Sequence, residues 1–115
     1  MSLKINDRIF VAGHKGMVGS SILRTLKKKG YKNIITVNKK KLNLESQKEV
    51  NNFFKKKKID FIFLCAAKVG GIYANDYFPA DFILKNILIQ TNVINAAHKN
   101  KINKLIFLGS SCIYP

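Results

Sequence analysis

An α/β fold, with a parallel sheet covered by helices on both faces, is the class this sequence predicts, and three observations predict it. Short apolar runs at residues 8–12, 33–37, 61–65 and 104–108 alternate with longer stretches whose apolar residues recur at helical spacing. The third run, Phe61-Ile62-Phe63-Leu64-Cys65, is apolar without alternation, as a parallel strand covered on both faces requires. At the first strand–helix junction stand three glycines spaced three apart: Gly13, Gly16 and Gly19. Together they describe a Rossmann-like sheet, expected in the order 3-2-1-4 with helices on both faces and truncated after the fourth strand.

The first strand, residues 8–12, runs straight into Gly13-His14-Lys15-Gly16-Met17-Val18-Gly19. Each glycine has its own task in such a turn. Gly13 lets the chain leave the strand sharply, Gly16 lets a pyrophosphate approach the backbone, and Gly19 lets the helix lie close to the sheet. The free N–H groups and positive end of the helix favour phosphate, so all seven residues are candidates for holding a dinucleotide. The pattern G-x-x-G-x-x-G resembles that of the short-chain and extended short-chain dehydrogenases. No G-x-x-x-x-G-K-[ST] is present, which disfavours a P-loop hydrolase.

The first helix is expected over 17–29, with Val18, Ile22 and Leu26 facing the sheet and Gly30 as its carboxyl-terminal cap. The second strand ends in Val37-Asn38-Lys39-Lys40-Lys41, where a site preferring NAD would carry an acid for the adenosine ribose. Lysine there attracts a 2′-phosphate instead, so NADP(H) is the expected cofactor, held by Lys39 first and Lys40 second. Asn43 and Leu44 follow as further cofactor contacts. A helix over 46–56 carries Val50, Phe53 and Phe54 on its apolar side. Past the third strand, Ala66-Ala67-Lys68 offers small residues where a ribose or nicotinamide could pass close to the chain. A helix over 79–99 has more apolar residues than one stripe needs, among them Ile83, Leu84, Ile87, Leu88, Ile94, Ala96 and Ala97, so it should pack on the sheet with one side and on a partner with the other. The fourth strand leads into Leu108-Gly109-Ser110-Ser111-Cys112, the last stretch of the cofactor and catalytic candidates.

At 115 residues the chain amounts to one domain at most, and 47% hydrophobic content supplies a core. No long apolar span and no signal pattern occur, which leads us to expect a soluble cytoplasmic protein. Cys65 and Cys112 make neither a metal spacing nor a disulfide framework, and Cys65, within an apolar run, reads as an inert thiol. The formal net charge is +15. Its lysines fall in blocks at helix ends and turns with no interleaved aromatics to stack bases, so the charge is expected to be solvated surface, with neither a nucleic acid nor a membrane as partner.

Four segments carry a resemblance beyond these physical patterns. The stretch 12–19, Ala66-Ala-Lys-Val-Gly-Gly-Ile72, Pro79-Ala-Asp-Phe-Ile83 and Phe107-Leu-Gly-Ser-Ser-Cys-Ile-Tyr-Pro115 resemble the GDP-L-fucose synthase family of extended short-chain dehydrogenase/reductases. The resemblance implies an NADPH-dependent reaction on a nucleotide sugar, GDP-4-keto-6-deoxy-D-mannose, with epimerisation at C3 and C5 followed by reduction of the C4 ketone. It also implies that Ser110 helps hold the C4 oxygen, that Cys112 is the acid/base of epimerisation, and that the complete protein is a homodimer. Chemistry suits both residue types, because a hydroxyl can donate to a developing oxyanion and a thiolate can take a proton beside a ketone.

Lys15 and Lys39 stand where the family often has arginine, which keeps charge but loses the planar fork. Residues 1–115 are expected to be the amino-terminal portion of an NADP-binding domain, with the substrate domain and the family's Tyr-x-x-x-Lys pair absent. Such a fragment is expected to be inactive and to associate through the open edge of its fourth strand. Three other functions are compatible with the residues: another nucleotide-sugar epimerase or dehydratase, a non-catalytic NADP-binding half-domain, and, least supported, a basic nucleic-acid binder.

Overall fold

The computed structural model describes residues 3–65, 80–102 and 104–108. Within them lie β1 (Ile9–Ala12), α1 (Met17–Lys28), β2 (Ile34–Ile35), α2 (Gln47–Lys56), β3 (Phe61–Leu64), α3 (Ala80–Lys99) and β4 (Leu105–Phe107). Every strand pairing is parallel, and the α/β class is as the sequence predicts. The expected start of the last helix at Pro79 falls outside the described residues.

The strand order is β2-β1-β3-β4, which corrects the expected 3-2-1-4. The third strand lies beside the first, not outside the second. Two physical reasons decide this. β2 is only two residues long and half-buried, so it is a poor inner strand. β3 is apolar throughout, with Phe61, Ile62 and Leu64 buried, and needs partners on both edges and cover on both faces. It obtains them between β1 and β4, in register Ile9↔Phe61 to Ala12↔Leu64 on one side and Ile62↔Leu105 to Leu64↔Phe107 on the other. The start of this pairing is tied by Asp60, whose Oδ2 accepts from the Arg8 N–H (2.8 Å) and lies 3.4 Å from Arg8 Nε.

Side-chain alternation along the strands divides the core in two. Ile9, Val11 and Phe61 face α1, where Leu26 and the half-buried Ile22 meet them. Phe10, Ala12, Ile62 and Leu64 face the opposite way, toward Val50 and Phe54 of α2 and Ile89, Val93, Ala96 and Ala97 of α3. Phe10 anchors the second cluster, its ring 5.1 Å from that of Phe53 and 5.9 Å from that of Phe54. From β1 the chain runs by way of α1 on one face to β2, and from β3 by way of α3 on the other face to β4, so the switch point lies between the carboxyl ends of β1 and β3.

Helix ends follow their residues. Gly30, at φ 92°, closes α1 as expected: its N–H donates to Lys27 O (3.1 Å) and that of Tyr31 to Leu26 O (3.1 Å). The same double bond pattern ends α3, where Lys101 N–H donates to His98 O and Ile102 N–H to Ala97 O, but here a lysine occupies the left-handed position at φ 60°. α3 presents Ile83, Leu84, Ile87, Leu88 and Ile94 to solvent, in agreement with its expected apolar excess. Among the described residues, no helix is long and apolar enough to cross a membrane.

The left-handed Lys101 generates a stability prediction. Lys101→Gly should raise unfolding stability by about 1 kcal/mol, because glycine adopts that conformation without a Cβ penalty. Urea unfolding of the two chains measures it, and a less stable variant would contradict the reading.

Candidate functional site

The carboxyl end of β1 is where backbone geometry becomes unusual. Gly13 has φ 87°, and its carbonyl accepts from Gly16 N–H at 3.1 Å, closing a tight turn. α1 begins at once and lies against this turn. A Cβ on Gly19 would stand 1.9 Å from the Gly13 oxygen and 2.7 Å from its carbonyl carbon, so only glycine is possible there. The close approach expected of Gly19 is thus real, but the surface it meets is the turn's own backbone.

Gly16 is different. Its backbone is extended (φ −74°, ψ 171°), it is exposed, and a Cβ there would meet only Gly13 O at an ordinary 3.5 Å. Nothing within the described chain requires glycine at this position.

Two helix starts make an informative contrast. α2 is capped by its own residues: Ser46 Oγ accepts from Glu49 N–H (3.3 Å), and Glu49 Oε1 accepts from Asn43 N–H (3.2 Å). α1 has Gly16 at its N-cap, no side-chain cap and no acid in its first turn. The N–H groups of Met17, Val18 and Gly19 have no partner among the described residues. A helix start left uncapped, uncompensated and open to solvent suits an anion from outside the chain.

The flanking charges agree. Lys15 is exposed beside the turn, and Lys39 and Lys40 are exposed in the turn after β2, without an ion pair among the described residues. His14 is half-buried, and its pKa lies below the usual 6.5, through burial first and the neighbouring Lys15 charge second. A neutral imidazole therefore sits in the turn at physiological pH.

Across the rim, on the α2 and α3 face, the loop 42–46 is held from several directions. Leu42 is buried, Leu44 packs on the core, and Asn43 Oδ1 accepts from Glu45 N–H (3.0 Å) while Asn43 O accepts from Ser46 N–H (3.0 Å). Asn92 of α3 completes the hold, its amide donating to Leu44 O at 2.9 Å. It is the buried polar residue among the described ones, and sequence reasoning missed it. The signal was present: Asn92 lies on the stripe formed by Ile89, Val93, Ala96 and Ala97, where an amide must find a partner.

The ends of β1 and β3 are drawn together by Cys65 N–H donating to Ala12 O (2.8 Å), and Leu108 N–H extends the ladder to Leu64 O (3.1 Å). Burial pushes the Cys65 thiol up to about 11, which keeps it protonated and unreactive at neutral pH. Of the expected site, the structure brings Gly13, His14, Lys15, Gly16, Met17, Val18 and Gly19 to one turn and holds Asn43, Leu44 and Leu108 at the same carboxyl rim of the sheet. Ala66, Ala67, Lys68, Gly109, Ser110, Ser111 and Cys112 lie outside the described residues.

Comparisons with known proteins bear on the whole of this arrangement. The model of the NAD dependent epimerase/dehydratase family matches residues 9–115. The chain is 53% identical to the GDP-L-fucose synthase of Escherichia coli over 95% of its own length and 34% of that protein's. It is 51% identical to a putative GDP-L-fucose synthase 2 of Arabidopsis thaliana, covering 98% of this chain and 34% of the relative. Among solved structures it resembles MlghC, a GDP-mannoheptose C4 reductase from Campylobacter jejuni with NADP bound, at TM-score 0.88 and 38% identity, over 99% of this chain and 34% of that one. The chain spans about a third of the length of the curated relatives it matches.

Gly19 and Gly16, the last and the middle glycine of the motif, generate opposite expectations. Gly19→Ala should cost several kcal/mol, about 3 or more, because a methyl cannot fit against the Gly13 carbonyl. Gly16→Ala should leave stability within about 0.5–1 kcal/mol and should weaken binding of a dinucleotide at the turn. Thermal melts with nucleotide titrations separate the two effects, and equal destabilisation by both substitutions would remove the basis for treating Gly16 as a ligand position.

Proposed function

The chain belongs to the NAD dependent epimerase/dehydratase family, and from that premise we propose that it binds NADP(H) at the β1–α1 turn as part of a GDP-L-fucose synthase. The observation that carries the proposal is the uncapped start of α1 behind a glycine, Gly16, that no packing among the described residues explains. The 53% identity to the Escherichia coli synthase supports the substrate class. Residues 1–115 are read as the amino-terminal portion of the NADP-binding domain, a reading supported by coverage of about a third of each relative. A cytoplasmic location accompanies it, since the reactants are soluble nucleotides.

Each candidate has a defined task. The N–H groups of Met17, Val18 and Gly19 hold the pyrophosphate, with Gly13 and Gly16 keeping the backbone clear and His14 neutral beside it. Lys39, Lys40 and Lys15 attract the 2′-phosphate, and an acid is missing from that turn. Asn43 and Leu44 meet the adenosine half from the pinned 42–46 loop. Ala66, Ala67, Lys68, Leu108, Gly109, Ser110 and Ser111 line the nicotinamide half, and bound NADPH supplies hydride there. The Ser110 hydroxyl donates to the C4 oxygen of GDP-4-keto-6-deoxy-D-mannose, and Cys112 exchanges protons next to the ketone during epimerisation. A second reading, a GDP-keto-sugar reductase without epimerisation, is supported by the resemblance to MlghC; the configuration of the product at C3 and C5 distinguishes the two.

The apolar face of α3 is assigned to a second copy of the chain. Ile83 and Leu84 recur one turn later as Ile87 and Leu88, with Ile94 beyond, so the stripe is self-complementary when two such helices pack together.

Titrating the chain with NADPH and NADH tests the cofactor reading. NADPH should bind more tightly, the preference should shrink as salt rises, and Lys39→Glu should cut it by roughly tenfold through repulsion of the 2′-phosphate; equal affinities in the unaltered chain would refute it. For α3, sedimentation should show a dimer that Leu84→Glu with Ile87→Glu converts to monomer. A monomer of the unaltered chain at micromolar concentration would contradict the assignment.

A further inference from the structure

We infer that the Met17 side chain closes over the bound dinucleotide, so that oxidation of its thioether by a hydroperoxide weakens cofactor binding. The inference rests on the reading of the glycine turn as a dinucleotide site.

Met17 is 89% exposed, whereas the other exposed large hydrophobic side chains range from 38% to 56%. An unbranched apolar chain is left in water at this position, and it joins neither core cluster of the described residues. Its place on the helix is specific. Met17 is the first residue of α1, next to Val18, which is also 45% exposed. Along an α-helix each Cα–Cβ bond tilts toward the amino terminus, so a side chain in the first turn overhangs the helix end. That end carries the open N–H groups of Met17, Val18 and Gly19. A phosphate held by those groups therefore comes within reach of the thioether, and the flexible, polarisable methionine can adapt to the ribose and ester faces beside it. Bound ligand removes from water the apolar surface that the free chain leaves exposed.

The same placement makes the site vulnerable. A hydroperoxide transfers one oxygen atom to the sulfur as its O–O bond breaks; the thioether gives up two electrons, and water or an alcohol leaves. The sulfoxide is polar and chiral and does not pack on apolar surface, and methionine sulfoxide reductases reverse the change. Because Met17 makes so little contact within the fold, this loss falls on the ligand and not on folding.

Peroxide footprinting tests the proposal, since Met1 and Met17 are the two methionines of the chain and Met1 serves as an internal control. The chain is treated with hydrogen peroxide with and without saturating NADP⁺, and sulfoxide at each methionine is read by peptide mass spectrometry. Nucleotide should slow oxidation of Met17 by about fivefold or more and leave Met1 unaffected. Met17→Gln and the oxidised chain should bind NADPH about three- to tenfold more weakly at an unchanged melting temperature, while Met17→Leu keeps its affinity. Measured NADP⁺ binding that leaves Met17 oxidation unprotected overturns the role of the side chain and spares the site. A chain that binds no nucleotide overturns the site itself and, with it, this inference.

Discussion

The closest constraint in this structure is the seat of α1 on the turn that precedes it. With room for no atom between the Gly19 Cα and the Gly13 carbonyl, the helix axis is held against the end of β1. That seat aims the amino terminus of α1 at the rim of the sheet and keeps the first N–H groups clear of side chains. Leu26 and Ile22 can then reach Ile9, Val11 and Phe61 on one face of the sheet. The opening for an anion and the packing of the first core cluster are consequences of one contact.

The opposite face is organised by Phe10 and by the central position of β3. Phe10 gathers the two phenylalanines of α2, while Ile62 and Leu64 sit with the α3 residues Ile89, Val93, Ala96 and Ala97. Burial of these side chains supplies the main driving force, and the twofold alternation of the strands decides which cluster each residue joins. Asn92 stands within this apolar face without violating it, because its amide is spent on the Leu44 carbonyl. A loop on the functional rim is thereby fixed to a core helix, and the cost of burying a polar group is offset by the bond it makes.

The two helix starts at the rim are completed in different ways. Ser46, Glu49 and Asn43 satisfy one another around the beginning of α2. At α1 the corresponding groups are missing, and the nearby charges, Lys15, Lys39 and Lys40, are positive. The difference lies in a few side chains, yet it makes one helix end self-sufficient and leaves the other without a cap of its own.

Much of this was legible in the residues. Among the described residues, the apolar runs marked all four strands, the helical periods marked all three helices to within a residue or two, and Gly30 marked a left-handed cap that the structure contains. The glycine turn was legible too, since the left-handed Gly13 and the close approach at Gly19 are both in the structure, because tight turns and close approaches restrict residue type locally. Strand order was not local in this sense. It depended on the shortness of β2, on the need of β3 for two neighbours and on Asp60 meeting Arg8 across more than fifty residues of chain. Nor could the glycine spacing by itself reveal that Gly19 is held by the turn's own backbone while Gly16 is held by nothing among the described residues, or that Asn92 would find Leu44. Sequence determined which elements form and what chemistry they carry, since those follow from periodicity and steric limits along the chain. Tertiary structure alone decided which elements became neighbours, since that depends on burial and hydrogen bonding between residues far apart in the chain.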